Sequence, residues 1–446
     1  MRILICGAGH VGAFAAEALA AARHSITVID IDPDRVREIG DRLDVAVLRA
    51  DCAHAATLDE AGVGAADLLV AATDRDEVNL LAASIAKGMG ARKSVARVRL
   101  DSYYDDRRFH YARHLGIDRL ICPEYATSEQ IAHILRNPAA IAIESFANWK
   151  IELQEFGVAD RAPALGKRLV EAPFPRGARL VAVVRDGEAF APDGQTVVRA
   201  GDKVVLVGER EVMPKAIRLF GQAKLQARDI VVMGGGPMAA WLCRALRDRA
   251  FHIRLFEPDR AIAEKLAAEL DWVTVINADA TSQDTFRSEY LGKADIFVAI
   301  TDDDEANILG GAWAKSQGVK QALAVVQRPV YLHLLEHVGI DMAFSPRVAA
   351  MRELTQMLDD SPVLALSSLS RGALDVYRVR VTAASPLAER ALREQKTPEG
   401  FIIAAVQHGG DAFVPGGDSV VHAGDTVLVV GPHRRSADLE RFAAGE

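Results

Sequence analysis

The chain has 446 residues, 50% of them apolar and 26% charged, with a formal net charge of −8. That is the balance of a soluble globular protein of three or four domains. The acidic surplus excludes a basic nucleic-acid footprint and docking to anionic lipid by charge alone.

The chain opens on Ile3-Leu4-Ile5-Cys6, a short apolar run ending in glycine, as a buried parallel strand does. The opening carries no basic stretch followed by a long apolar one, so no signal peptide is expected. No run approaches 18 apolar residues, so no membrane span is expected and the cytoplasm is the predicted compartment. Cys6, Cys52, Cys122 and Cys243 are scattered, with no C-x-x-C pair, and read as buried thiols rather than a zinc or disulfide framework. Val11–Ala22 is rich in alanine and leucine and is predicted helical. Ile26–Ile29, Leu68–Ala72 and Val95–Val98 are further apolar runs with helix-like segments between them. This alternation predicts a parallel sheet with helices on both faces.

The chain then repeats itself. ILICGAGHVG at residues 3–12 returns as IVVMGGGPMA at 230–239. Asp30 matches Glu257, Asp51 matches Asp279, and Thr73–Asn79 matches Thr301–Asn307, all at offsets of 227 or 228. In the second copy, Ile230–Met233, Ile253–Phe256 and Ile296–Ile300 are the expected strands and Ala240–Arg249 a helix. Two smaller segments, 180–208 and 402–431, also match, both ending in Ala-Gly-Asp and an apolar strand (Ala200-Gly201-Asp202, Ala423-Gly424-Asp425). The predicted fold is α/β: two Rossmann-like, doubly wound parallel-sheet domains (1–138 and 227–359), each followed by a small α+β domain (139–226 and 360–446).

The first loop has the logic of a dinucleotide site. Gly7 permits the turn out of the strand, Gly9 admits a pyrophosphate close to the backbone, and Gly12 lets helix and sheet pack. The helix N-terminus presents N–H groups to the anion. Asp30 stands 18 residues beyond Gly12, where a carboxylate accepts ribose hydroxyls and disfavours a 2′-phosphate. The second loop keeps Gly234 and Gly236, has Ala239 for the third glycine, places Pro237 in the first helical turn, and offers Glu257 as the ribose acceptor. The candidate contacts of the first site are Gly7, Ala8, Gly9, His10, Val11, Gly12, Asp30, Asp51, Cys52, Thr73, Asp74 and Arg97. Those of the second are Gly234, Gly236, Pro237, Met238, Glu257, Asp279, Ala280 and Thr301. Asp51 and Asp279 meet an adenine edge or cap a helix; Thr73 and Thr301 lie at the sheet's carboxyl edge, where ligands bind. Arg97 is a phosphate partner, and the second copy has Val325 in its place.

Catalytic groups are missing from this pattern. A dehydrogenase needs a general acid or base and a substrate anchor beside the nicotinamide, and the small domains cluster no His, Cys or Lys. His110 and His114 stand i, i+4 as a possible metal pair, but with Arg107, Arg108 and Arg113 around them a solvated helix face is the simpler reading; His133, His333 and His337 read the same way. No catalytic residue and no metal ligand is assigned. The acidic run Asp302–Glu305 reads as a solvated turn.

Several segments together resemble a known family: Gly7-Ala8-Gly9-His10-Val11-Gly12, Ala96-Arg97-Val98-Arg99, Thr301-Asp302-Asp303-Asp304-Glu305-Ala306-Asn307-Ile308, Ser345-Pro346 and Ser367-Ser368-Leu369-Ser370-Arg371-Gly372. Over essentially the whole chain the order resembles the regulator-of-potassium-conductance repeat, RCK-N then RCK-C, written twice. Tandem copies in one chain are similar to the TrkA family, NAD-binding peripheral subunits of Trk potassium-uptake systems. The resemblance implies NAD(H), or ATP or ADP, as ligands. It implies a ring of RCK units (a homotetramer or homodimer) and an integral-membrane potassium transporter as partner, gated from the inner face of the cell membrane. One departure is Cys52-Ala53 after Asp51, where the family has a small residue and then Ser or Thr; the second copy has that hydroxyl as Thr281. Alternatives are a regulator of a potassium efflux channel, an NAD-dependent dehydrogenase, and a scaffold that binds no nucleotide. Thr127–Arg136, ending before Asn137-Pro138, and Arg347–Leu358 are the helices expected either to build the oligomer or to pack within their own domains.

Overall fold

Each apolar run named in the two large copies becomes a strand of a parallel sheet. A computed structural model describes residues 1–104, 109–136, 142–147, 150–221, 227–247, 251–358, 361–395 and 397–445. Arg107, Arg108, Asn137, Pro138 and Arg249 lie outside the described residues, as do the segments holding the expected boundaries at 138/139 and 359/360. The described residues form two compact units, and each joins like parts of the two repeats: Met1–Ala132 with Gln226–Leu358, and His133–Leu225 with Asp359–Glu446.

The first unit holds both Rossmann domains. In the first are β1 (Arg2–Cys6), α1 (His10–Ala21), β2 (Ser25–Asp30), β3 (Ala46–Arg49), β4 (Leu68–Ala71), α2 (Asp76–Gly88), β5 (Lys93–Arg97), β6 (Arg119–Ile121) and α3 (Pro123–Arg136). The sheet order is β3-β2-β1-β4-β5-β6, parallel throughout. Order reverses between β1 and β4, so the topological switch point lies at the carboxyl end of β1, where the glycine loop begins. The second domain repeats this with β7 (Arg228–Met233), α4 (Pro237–Ala245), β8 (Phe251–Phe256), β9 (Val273–Ile276), β10 (Ile296–Ala299), α5 (Asp304–Ser316), β11 (Gln321–Val325), β12 (Met342–Phe344) and α6 (Pro346–Leu358). Its order is β9-β8-β7-β10-β11-β12. The central strands β4 and β10 are buried along their whole length, as strands covered by helices on both faces must be.

Three helices start earlier than their apolar pattern suggests: α3 at Pro123, α4 at Pro237 and α6 at Pro346. Proline suits the first helical position because the N–H it lacks has no intrahelical partner there.

The terminal helices correct an expectation. Ala350 and Leu354 of α6 are buried in the core formed by β1, β4 and α1 of the first domain. Lys93 Nζ on β5 donates to the Met357 carbonyl at 2.5 Å, and Arg119 on β6 pairs with Glu353 at 3.3 Å. In return, the first turns of α3 lie on α4: Ser128 Oγ donates to the Met238 carbonyl at 3.0 Å, and Tyr125 meets Trp241 edge to face at 4.7 Å. The buried face of α6, Ala350 and Leu354, therefore packs on the other repeat rather than within its own domain. The two repeats exchange helices because each exposed helix stripe finds its apolar counterpart on the other repeat.

The second unit pairs the small domains. Each is a five-stranded antiparallel sheet, with order 188–190, 178–185, 203–209, 151–157, 142–146 in one and 363–369, 374–380, 426–432, 402–408, 411–413 in the other. Inner-facing residues of both sheets, among them Leu153, Val181 and Val207 with Val376, Ala404 and Val430, form one core. Each Ala-Gly-Asp turn ends in a buried carboxylate. Asp202 takes a bidentate bond from Arg185, both arms 2.8 Å, and Asp425 lies 2.6 Å from His408 Nδ1. His133 departs from its predicted solvated face: it is buried, with Nδ1 3.3 Å from Glu152 Oε1. His337 is exposed as predicted, and the His333 side chain lies outside the described residues.

Candidate functional site

The chain leaves β1 through Gly7 at φ +99, its N–H donating to the Ile29 carbonyl at 2.7 Å. A side chain on Gly12 would begin 1.9 Å from the Gly7 carbonyl oxygen, so helix and loop meet at a distance only glycine allows. The first turn of α1 (His10, Val11, Gly12) then faces the carboxyl edge of the sheet with N–H groups that have no intrahelical acceptor. The Ala8, Val11 and Cys52 side chains are buried in the core; their contribution to a ligand would be backbone. The same holds for Met238 and Ala280 in the second domain.

Asp30 is buried at the end of β2, but its oxygens already have partners. Oδ2 accepts the Ala8 N–H at 2.5 Å and Oδ1 the Asp32 N–H at 2.8 Å. Glu257 does the same for Gly235 (2.7 Å) and Asp259 (2.8 Å). The acid therefore shapes the glycine loop as well as presenting lone pairs at the expected ribose position. A carboxylate has about four acceptor sites, so two remain.

Asp51 and Asp279 are not helix caps. Each accepts the N–H two residues on, Ala53 at 2.9 Å and Thr281 at 2.8 Å, and Asp279 also takes the Thr281 hydroxyl at 2.7 Å. The caps are His54 and Ser282. Cys52 hydrogen-bonds Cys6 at the end of β1; that contact lowers the Cys52 thiol's pKa and raises that of Cys6.

Thr73 and Thr301 close β4 and β10 as predicted, but their hydroxyl protons are committed to Asn79 and Asn307, each at 2.7 Å. These asparagines are fully buried and were not singled out from the sequence, although both stand in the repeated segment. Each amide NH2 bridges two strand ends: Asn79 donates to the Thr73 and Arg97 carbonyls, Asn307 to those of Thr301 and Val325. Asp76 and Asp304, next in the acidic runs, reach the loop after the fifth strand. Asp76 accepts from Arg99 (2.8 Å) and Leu100 (2.9 Å), Asp304 from Gln327 (2.6 Å) and Arg328 (3.0 Å). Glu305 pairs with Arg328 and Asp303 caps its helix at the Ala306 N–H. Asp302 and Asp74 are exposed. The predicted solvated turn is thus largely a bracing device.

Arg97 sits on β5, and its guanidinium pairs with Glu124 on α3. The expected phosphate partner is already neutralised. His110 and His114 bracket a single helical turn rather than sharing a face: His110 Nδ1 takes the Arg113 N–H at 3.3 Å and His114 stacks on Phe109. Among the described residues no cluster of His, Cys, Asp and Glu is able to hold a metal, and no helix is long and apolar enough to cross a membrane.

Fold and loops together define the class: tandem Rossmann domains of the dinucleotide-binding type, each followed by a small antiparallel domain. The TrkA-N domain model matches residues 3–123 and 230–346, and the TrkA-C domain model matches 153–221 and 376–444. The chain belongs to the TrkA family. It is 32% identical over 415 residues to the Trk system potassium uptake protein TrkA homolog of Archaeoglobus fulgidus, covering 93% of each chain. It is 31% identical to TrkA homolog 1 of Methanosarcina mazei, covering 99% of this chain and 100% of that one. Among solved structures, the GsuK RCK domain aligns over 100% of this chain and 95% of its own at TM-score 0.61 and 17% identity. The GsuK channel bound to NAD aligns over 100% and 79% at 0.60 and 17%. These likenesses establish the RCK fold.

Proposed function

We propose that the chain is a nucleotide-sensing regulatory subunit of a Trk-type potassium-uptake system. It binds NAD(H), ATP or ADP at the glycine loops and works at the inner face of the cell membrane on an integral-membrane transporter. The observation that carries this reading is the exchange of α3 and α6 between Rossmann units that each hold a glycine loop. A ligand at one loop touches an element owned by the other repeat, and a ligand shifts an equilibrium only through differential affinity for two arrangements. The relatives' naming as Trk potassium-uptake proteins supports the transporter partner, and structures of GsuK with NAD and with ADP support the ligand class. The role is regulatory rather than catalytic, in a ring of RCK units.

The test is calorimetric titration of NADH, NAD, ATP and ADP into the whole chain and its Asp30→Asn and Glu257→Gln variants. Saturable binding weakened by Asp30→Asn supports the first site, and a remainder lost with Glu257→Gln supports the second. No binding of any of the four overturns the reading. Steady turnover of NADH would favour an enzyme instead.

A further inference from the structure

The first glycine loop is touched by a residue of the other repeat. Arg347, in the first turn of α6, places Nη2 2.8 Å from Nδ1 of His10, the first residue of α1. Arg347 is half-buried, and its Nε is buried without a hydrogen-bond partner. Among the described residues no carboxylate lies within ion-pair distance of it. A partly desolvated guanidinium without an acid is costly and is ordinarily matched by an anion.

The repeat explains why this arginine lacks an acidic partner. Pro346-Arg347 stands where the first repeat has Pro123-Glu124. There, Glu124 is neutralised by Arg97 on the adjacent strand. The strand position matching Arg97 is Val325, which offers no charge. One repeat has a closed ion pair at this corner; the other has a lone cation facing the first loop. Arg35 adds a second positive group, its Nη1 3.5 Å from where a Cβ on Gly9 would stand. In the second domain the matching residue is Ile262, and His10 is matched by Pro237.

Given the nucleotide reading of the first loop, we propose that Arg347 is a phosphate-binding residue of that site, supplied across the domain pair by the second repeat. A ligand bearing a di- or triphosphate then bridges the N-termini of α1 and α6 and ties the two Rossmann units together. Its guanidinium replaces the neutral His10 nitrogen with phosphate oxygens, a stronger, charge-assisted contact. The second site, with Glu124 already paired, lacks this grip. The two sites therefore discriminate ligands differently, the first by phosphate charge.

The experiment titrates adenosine, AMP, ADP and ATP into the full chain and its Arg347→Gln and Arg347→Lys variants. The helix stays in place without Arg347, because Ala350, Leu354, the Arg119–Glu353 pair and the Lys93–Met357 bond hold it independently; a thermal melt matching wild type checks this. Arg347→Gln is expected to weaken ADP and ATP at the tighter site about 10-fold or more, with adenosine unchanged. Arg347→Lys is expected to recover part of the loss. Equal losses for adenosine and ATP would mean a structural role, and undiminished ATP binding to a folded Arg347→Gln chain would also overturn the inference. If wild type binds none of the four, the nucleotide reading itself falls. If wild type binds and Arg347→Gln is indifferent, only the present inference does.

Discussion

The first and second glycine loops share a backbone and differ in charge. Both leave their strand through a positive-φ glycine (Gly7 at +99, Gly234 at +110), both are braced by the acid ending the next strand, and both lie beside a Thr–Asn pair tying the fourth and fifth strands. Around the first stand His10, Arg35 and Arg347; the corresponding residues of the second are Pro237, Ile262 and Glu124. Duplication copied the scaffold, whose backbone bonds tolerate little change, while the side chains around the loop diverged. Scaffold substitutions should therefore act alike in the two halves, and charge substitutions should not.

The largest expected effect probes a scaffold position that differs between the loops. Gly12→Ala drives a methyl into the Gly7 carbonyl and should cost about 3 kcal/mol, at the top of the usual overpacking range. Ala239→Gly, at the matching buried site, should cost only about 1 kcal/mol through helix propensity. Denaturant unfolding of the two variants measures both, and equal costs would show that the loops are not packed differently. Next, Asn79→Ala and Asn307→Ala each strand buried polar groups at two strand ends and should each lose about 1–3 kcal/mol. Similar losses are expected, since both amides make the same set of bonds; a threefold disparity would break the symmetry claimed for the scaffold.

A smaller effect should separate the loops by pH. Burial, then Arg347 and Arg35, lower the His10 pKa, with Arg97 also lowering it and Asp304 opposing. A histidine whose folded value lies below its unfolded value binds fewer protons when folded, so its contribution is intact above about pH 6.5 and is lost as pH falls through that window toward the folded value. Arg347→Gln should shrink the loss without abolishing it, because burial remains the leading cause. Nuclear magnetic resonance titration of the His10 ring checks the direction: an upward move of its midpoint is expected, and a downward one would contradict the placement of Arg347. Pro237 cannot titrate, so the second loop should show no counterpart.

Much of the site was legible in the residues. Strand-glycine-helix order located both loops, and the 227 and 228 offsets paired Asp30 with Glu257 and Thr73 with Thr301. The asparagines were visible in the repeat but carried no chemical signature, because their work is to satisfy strand ends whose neighbours are known only after the sheet forms. Arg97 and Arg347 misled in opposite ways. One fitted a phosphate partner and is occupied by Glu124; the other read as part of an amphipathic helix and faces the opposite repeat's loop.

Local chemistry by itself determined the duplication, the two glycine turns, the strand and helix types and the small domains' Ala-Gly-Asp turns, because hydrophobic period, turn residues and loop spacing act over a few residues. Tertiary structure decided where α3 and α6 go, which acid neutralises Arg97, and that His133 is buried beside Glu152. Those outcomes depend on which apolar stripes and charges meet beyond the local window, 27 residues of chain apart for Arg97 and Glu124 and 264 for Lys93 and Met357 where helices are exchanged, and a sequence read locally carries no distance between them.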